Sequence, residues 1–419
     1  MENGVRRAAM QVAAGMLEQR LNADHSDEQG AEARCDCGQS ARYAGRKAKT
    51  FQSVLGTLTL ERAYYHCAAC HHGFCPRDRA WGLADSTLSP GVMRMVAAVG
   101  AAVSFQEGSQ LLEELAGLPV DAKQVERTAE SLGQEIDRDE HHHTAPLSSG
   151  AVPATLYLGV DGTAVPMRSE EVKGRQGKQP DGTAKTREVK LCVVWSAEGR
   201  DVQQHPVRDA GSVSYSAAIE SAATQENSPA GSEFYQRVAR EATRRGFLKA
   251  SRRVLLGDGA PWIWNLSEEL YPDAIQIVDR WHVKEHFCEV GNLLYGAGSS
   301  PARTWIVRRF RQLDTGRFDD LLRAVARHAA QCDAARKLLS YLQTNRHRMD
   351  YPRFEREGLC TSSGVVEAGC KVVIGARLKR AGMHWSLAGA NAIMALRCCR
   401  LSGRFQDFWE RRSELPRAA

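Results

Sequence analysis

The amino-acid sequence predicts an α/β protein: a sheet domain interrupted by a helical insertion, preceded by a small cysteine-bearing β module and a helical region. Three observations predict it. Short apolar, β-prone runs recur at TLYLGV, KLCVVWS, RVLLG and IQIV. Long helical patterns follow from His282 to about Arg348, and five of the twelve cysteines crowd into residues 35–75. The chain has 419 residues, 43% hydrophobic and 25% charged, enough for a large core shared by two or three domains.

From the N-terminus, MENGVRRAAMQVAAGMLEQRL reads as an amphipathic helix within residues 1–30 rather than a signal peptide. No apolar run approaches the roughly 18 residues that a membrane helix needs. A cytoplasmic protein with no membrane partner is expected.

Residues 31–85 hold Cys35, Cys37, Cys67, Cys70 and Cys75. In a chain expected to be cytoplasmic this cluster points to metal, and to zinc, rather than to disulfides. Cys67-Ala-Ala-Cys70 has the spacing that turns two thiolates toward one tetrahedral ion, and TFQSVLGTLTLERAYYHC alternates like a hairpin, so the module resembles a zinc ribbon. The first pair, Cys35 and Cys37, encloses one residue instead of two. That leaves the fourth ligand open, with Cys75, His66, His71 and His72 as substitutes. Cys192, Cys288, Cys332, Cys360, Cys370, Cys398 and Cys399 are read as small buried hydrophobes.

Residues 86–140 read as helical. GSQLLEELAG, a turn at Leu118-Pro119-Val120 and DAKQVERTAESLGQEI resemble a helix-turn-helix. Residues 101–150 nevertheless carry Lys123, Arg127 and Arg138 against ten acids, so a packing or dimerisation bundle stands beside recognition of a DNA end. The polar stretch RDEHHHTAPLSSGAVP marks a boundary, with a linker at 141–153.

The region 154–419 carries the acids. Asp161 follows LYLGV and Asp258 follows RRVLLG, both apolar strand patterns, whereas Asp181, the third Asp-Gly, lies in a Gly- and charge-rich run and reads as a turn. Glu367 falls in the first turn of a helix for which Ser363 is the expected N-cap. Separations of 97 and 109 residues put the three on different elements. Three carboxylates in one pocket repel one another unless divalent cations, Mg²⁺ or Mn²⁺, lie between them. Two such ions about 3.5–4 Å apart suit phosphodiester chemistry. Asp279 also ends an apolar run, and with His282 it is expected to support the acids. An insertion of helices is expected at about 282–360.

Charge is uneven. Residues 301–419 hold 23 Lys+Arg against 11 Asp+Glu, a pattern that suits nucleic acid. The densest clusters are Arg308 to Arg311, Arg346 to Arg348, and Arg377, Lys379 and Arg380. Phosphate contacts are expected there. Trp262, Trp264 and Trp385 are expected in the core.

Over residues 35–409 the chain resembles bacterial insertion-sequence transposases of the ISKra type, a DDE group related to the Mutator-like transposases. The passages that carry the resemblance are LGVDGTAVPMR, ERAYYHCAAC, LLGDGAPWIWN, VDRWHVKEH and SGVVEAGCKVVIGARLKRAGMHWS. It implies a ribonuclease-H-like catalytic core whose catalytic and metal-binding acids are Asp161, Asp258 and Glu367, with a helical insertion between the second Asp and the Glu. It implies cleavage of double-stranded DNA at transposon ends, then joining of the 3′-hydroxyl to target DNA. A homo-oligomer that pairs two ends follows, acting at the bacterial nucleoid. The compressed Cys35/Cys37 spacing and His384 before Trp385, where Arg is expected, depart from the pattern. A metal-dependent nuclease or resolvase on the same fold, and a vestigial DNA-binding protein that keeps Cys35, Cys37, Cys67 and Cys70 for zinc, are the alternative readings.

Overall fold

The computed structural model describes residues 1–84, 86–144, 151–177, 179–222 and 232–412. The chain divides into two compact units, residues 1–136 with 405–419, and residues 137–404.

The first unit opens with helix α1 (Glu2–Ala23), followed by strands β1 (Glu32–Arg34), β2 (Ser40–Ser53), β3 (Gly56–His66) and β4 (Gly73–Phe74), which form one antiparallel sheet in that order. The expected hairpin is β2–β3, closed by a two-residue turn with Ser53 opposite Gly56. Two apolar clusters hold the sheet. Ala41, Ala63, Tyr65 and Phe74 pack near the cysteines, and Phe51, Leu58, Leu60 and Leu83 pack under α1. Helices α2 (Pro76–Trp81), α3 (Pro90–Ala102), α4 (Phe105–Leu111) and α5 (Ala122–His142) follow. Val125, Ala129, Leu132 and Ile136 line the buried face of α5, at the 3–4 spacing of a packed helix. The C-terminal helix Phe405–Arg411, expected with the preceding sheet region, belongs to this first unit. Its anchors are electrostatic and aromatic: Arg412 forks onto Glu135 at 2.6 and 3.2 Å, and Arg94 lies over the Phe405 ring.

The second unit is built on a five-stranded mixed sheet. Strands β5 (Thr155–Pro166) and β6 (Thr186–Ser196) form a long antiparallel pair; a short helix α6 (Ser169–Val172) lies in their connection. A small ribbon of β7 (Gly199–Arg200) and β8 (Pro206–Val207) leads to β9 (Ser214–Ala218), antiparallel to β6. After α7 (Glu233–Arg244), strand β10 (Arg252–Gly257) pairs parallel with β5. Helix α8 (Pro261–Leu270) leads to β11 (Ile275–Val278), parallel to β10. The order is β11-β10-β5-β6-β9. The apolar runs read from the sequence are its interior strands, with Leu156, Tyr157 and Leu158 facing no solvent.

The helices after β11 are α9 (Arg280–Tyr295), α10 (Ser300–Asp314), α11 (Phe318–Ala326), α12 (Asp333–Asn345) and α13 (Tyr351–Arg356). The chain then returns to the sheet through α14 (Gly364–Gly369), a π turn at Cys370–Gly375, α15 (Ala376–Leu378) and the long α16 (Leu387–Leu401). Helix α16 covers the edge strand β9, where the Ile219 N–H donates to Asn391 Oδ1 at 2.9 Å. Beneath lies a buried ion cluster: Arg404 bonds Glu140 at 2.7 Å and Glu241 at 3.1 Å, and Arg244 bonds Glu241 at 2.6 Å. Glu241 is fully buried, and its two arginines hold its carboxyl below the ordinary range against the opposing effect of burial. The linker expected at 141–153 lies partly outside the described residues, at 145–150.

Candidate active site and metal centre

Register brings the two aspartates together. In the parallel pair β5–β10, Leu256 stands opposite Gly159, and each chain runs two residues further to Asp258 and Asp161. Alternation then puts both carboxylates on one face, at the same level of adjacent strands about 4.8 Å apart. Asp279 follows Val278, the partner of Gly257, and ends the third parallel strand at that level. Asp258 and Asp279, at the carboxyl ends of the parallel strands β10 and β11, occupy the place where open α/β sheets bind ligands, and Asp161 lies at their level within the longer β5.

Glu367 comes to this face on α14. Two glycines permit the approach: a Cβ on Gly159 would stand 2.3 Å from Val366 Cγ2, and one on Gly369 would stand 2.9 Å from Leu191 Cδ2. With Val366 and Gly369 buried against the strands, Glu367 is left exposed, 3.6 Å from Lys371. That exposed pair contributes little by itself.

Asp279 fixes where α14 begins. Its Oδ1 accepts from the N–H groups of Trp281 (2.6 Å) and His282 (3.1 Å), capping α9. Its Oδ2 accepts from the Ser363 N–H at 2.6 Å and from the Ser363 hydroxyl. The N-cap role expected of Ser363 is therefore not made by its side chain. The hydroxyl donates to the buried Asp279 carboxylate, and the N–H groups of Val366 and Glu367 donate to the Ser363 carbonyl.

The three acids feel one another. Burial raises the Asp161 carboxyl above its ordinary range; bonds from the Gly162 N–H (2.6 Å) and the Cys370 thiol (3.3 Å) oppose this, and the charges of Asp258 and Glu367 add to it. Cys370, read from the sequence as a buried hydrophobe, thus touches Asp161, and burial together with that carboxylate pushes its thiol up. Its place one turn after Glu367 was the signal available. At Asp258 the Tyr341 hydroxyl donates to the backbone carbonyl at 2.7 Å. The His286 ring lies 5.0 Å from Tyr341 and 4.7 Å from His282, and burial with the His282 charge lowers its pKa.

Among the described residues, the group of His, Cys, Asp and Glu whose ligand atoms all lie within 4.8 Å of one another is Cys35, Cys37, Cys67 and Cys70. The three carboxylates are spread wider than the shell of a single ion. In the cysteine group, Cys35 and Cys70 sulfurs are 3.6 Å apart, as are those of Cys37 and Cys67. A tetrahedral zinc with bonds of about 2.3 Å requires sulfurs about 3.8 Å apart, so the donors fit. Cys37 stands in the fourth place that the sequence left open, while Cys75 stands at the N-cap of α2. N–H groups of Cys70 and Ala69 hold the Cys67 thiol down to about 7. Cys70 is pushed up to about 12: the His72 N–H acts against the rise, and the Cys37 thiol and burial drive it.

The basic clusters divide. Arg309, Arg348 and Arg377 are buried, Arg348 over Trp264 and Arg377 over Trp385. Arg308, Arg311 and Arg380 are exposed, and Lys379 reaches Thr163 on β5. Trp264 and Trp385 are core residues, as expected, with the Trp385 Nε1 donating to the Leu378 carbonyl at 3.0 Å. Asp181 forms the expected turn, accepting from the Thr183 N–H and hydroxyl.

No protein-family model and no curated protein matches this chain. Among solved structures it is similar to the Drosophila P element transposase strand transfer complex, at 11% identity over 80% of this chain and 84% of that chain, with a TM-score of 0.29. At that score the likeness decides neither fold nor activity. No helix among the described residues is long and apolar enough to cross a membrane.

Proposed function

We propose that the chain is a DNA transposase of the DDE insertion-sequence type, with a ribonuclease-H-like core that carries Asp161, Asp258 and Glu367 as its metal-binding acids. The observation that carries this reading is the matched register of Asp161 and Asp258 on β5 and β10, with α14 packed through Gly159 so that Glu367 joins the same face. Three antiparallel strands continued by two parallel ones are compatible with that core. Spread carboxylates suit two cations better than one. Two bound Mg²⁺ or Mn²⁺ ions would supply charge to activate a water on one side of a phosphodiester and stabilise the departing oxygen on the other.

The chain's own residues orient this centre. Asp161, half-buried and with its carboxyl raised by burial and by the charges of Asp258 and Glu367, would be stabilised in its ionised form by a bound cation. Asp279 and Tyr341 hold α14 and the Asp258 backbone in place. Lys371 must release Glu367, and Cys370 must release Asp161, for both carboxylates to face the ions. The four cysteines would hold a structural zinc in the N-terminal module. Partners under this reading are double-stranded DNA, as transposon ends and as target, and a second copy of the chain.

The test is cleavage and strand transfer on labelled DNA bearing the element's ends, with Mg²⁺, comparing wild type with Asp258→Ala. Joined products that need the metal and vanish in the variant are expected. Cleavage without joining would replace the reading with a nuclease. End binding without Asp258-dependent chemistry would replace it with a DNA-binding protein.

A further inference from the structure

A cavity of about 660 Å³ opens within the helical insertion, remote in sequence from the acids, between the end of α9, one face of α10 from Ser300 to Gln312, and α11. Its lining is cationic. Arg308, Arg309, Arg317 and Arg327 face it without an ion pair among the described residues, while Arg323 is paired with the lone lining acid, Asp320.

Arg309 is only 4% exposed, its guanidinium lies 5.2 Å from the Trp305 ring, and its Nε has no hydrogen-bond partner. Arg46 and Arg62 also keep a buried nitrogen without a hydrogen-bond partner but are ion-paired with Asp27 and Asp78; Arg309 has no such carboxylate among the described residues. One turn on, Gln312 is 6% exposed and its Oε1 is equally without a partner. A buried cation with no carboxylate, next to a buried acceptor with no donor, is costly in a folded chain unless something completes both. Burial and the charges of Arg308 and Arg327 lower the Arg309 pKa, so the cluster repels itself as it stands. The first residues of α10, Ser300 and Pro301, also line the cavity and add the positive end of a 15-residue helix.

The geometry points to a binding site for a phosphate group that carries a neighbouring hydroxyl or N–H donor, the chemistry of a nucleotide, with Arg309, Arg308 and Arg327 taking the phosphate and Gln312 the donor. The volume suits one nucleotide, and Trp305, which His328 contacts edge-on, gives its ring an aromatic wall. A free mononucleotide and a nucleotide within a DNA strand share this chemistry. None of the three acids lines the cavity, so the inference does not depend on the transposase reading.

The experiment is calorimetric titration of the full chain with inorganic phosphate, dAMP and a single-stranded 12-mer, for wild type, Arg309→Gln, Arg327→Gln and Asp258→Ala. Arg327 is exposed, so its variant keeps the fold even where Arg309→Gln does not. Phosphate and dAMP binding that weakens at least tenfold in Arg327→Gln, and is unchanged in Asp258→Ala, supports a free-nucleotide site. The same tenfold loss seen for the 12-mer alone supports a strand site. Binding of every probe that is indifferent to Arg327, or absent, overturns the inference and leaves Arg309 as a water-bridged structural residue.

Discussion

Replacing Asp279 by Ala should damage the centre without touching any of the three acids. One buried carboxylate accepts four hydrogen bonds, two from the start of α9 and two from Ser363 ahead of α14. Loss of an N-cap costs about 1 kcal/mol. The two bonds from Ser363 to a charged acceptor add roughly 1–1.5 kcal/mol each, for a total of about 3–4 kcal/mol. In a unit of this size each kcal/mol is worth about 2 °C, so its melting temperature should fall by about 6–8 °C. Asp279→Asn keeps one acceptor for α9 but turns an amide N–H toward the Ser363 N–H, and should lose about half as much. The decisive measurement is metal-dependent nicking per folded molecule, well below either midpoint. A freed α14 displaces Glu367, and a misplacement of about 1 Å costs on the order of 100-fold. Unchanged nicking per folded molecule would refute a positioning role, and melting within about 2 °C of wild type would refute the hydrogen-bond account altogether.

Gly159→Ala drives a methyl into Val366 and should weaken both stability and nicking, by about 1–3 kcal/mol and at least tenfold; Val366→Ala in the same chain should restore most of both, and no rescue would disprove the contact. The Asp161 carboxyl is raised in the folded state, so its contribution to stability is present below the ordinary Asp range and is lost as pH rises through the raised value. Asp161→Asn should therefore melt higher than wild type at pH 7 in EDTA, and lose the rise in melting temperature that Mg²⁺ gives wild type; equal melting in EDTA would contradict the burial argument. The cysteine group should carry one zinc per chain at pH 8 by elemental analysis. Because the thiols must lose their protons to bind, a competing chelator should strip it more than a hundredfold more readily at pH 6, about tenfold from Cys67 near 7 and about a hundredfold from Cys70 near 12, and Cys70→Ser should fail to hold it; zinc retention indifferent to pH would count against thiolate ligation.

Legibility in the sequence followed the range of each interaction. The strands were readable because a buried strand is written locally, in runs such as TLYLGV, and the β2–β3 hairpin because its turn and alternation are adjacent. Asp161 and Asp258 could be singled out by those same runs, but their shared level depends on the Leu256–Gly159 pairing, which no local pattern encodes. Cys370 and Asp279 were harder. A thiol on a helix and an Asp after a strand look alike whether they pack or serve, and only the bonds to Asp161 and Ser363 distinguish them. The return of the helix Phe405–Arg411 to the first unit rests on Arg412 and Glu135, 277 residues apart, and was invisible for that reason.

Charge shows the same limit from the other side. Counting cations locates a basic region, but Arg348 and Arg377 from the densest clusters lie on Trp264 and Trp385, where a guanidinium packs as a flat, weakly hydrated plate. Arg309 has the same posture on Trp305 and a different balance, since it has neither a hydrogen-bonded amide like Arg348 nor a thioether like Arg377 to complete it. Arg377 too keeps one buried nitrogen, Nη2, without a hydrogen-bond partner. What sets Arg309 apart is that its orphan Nε lies one turn from the orphan Oε1 of Gln312 and that both residues line a cavity; that pairing, rather than the number of positive charges around it, marks the place where a phosphate belongs.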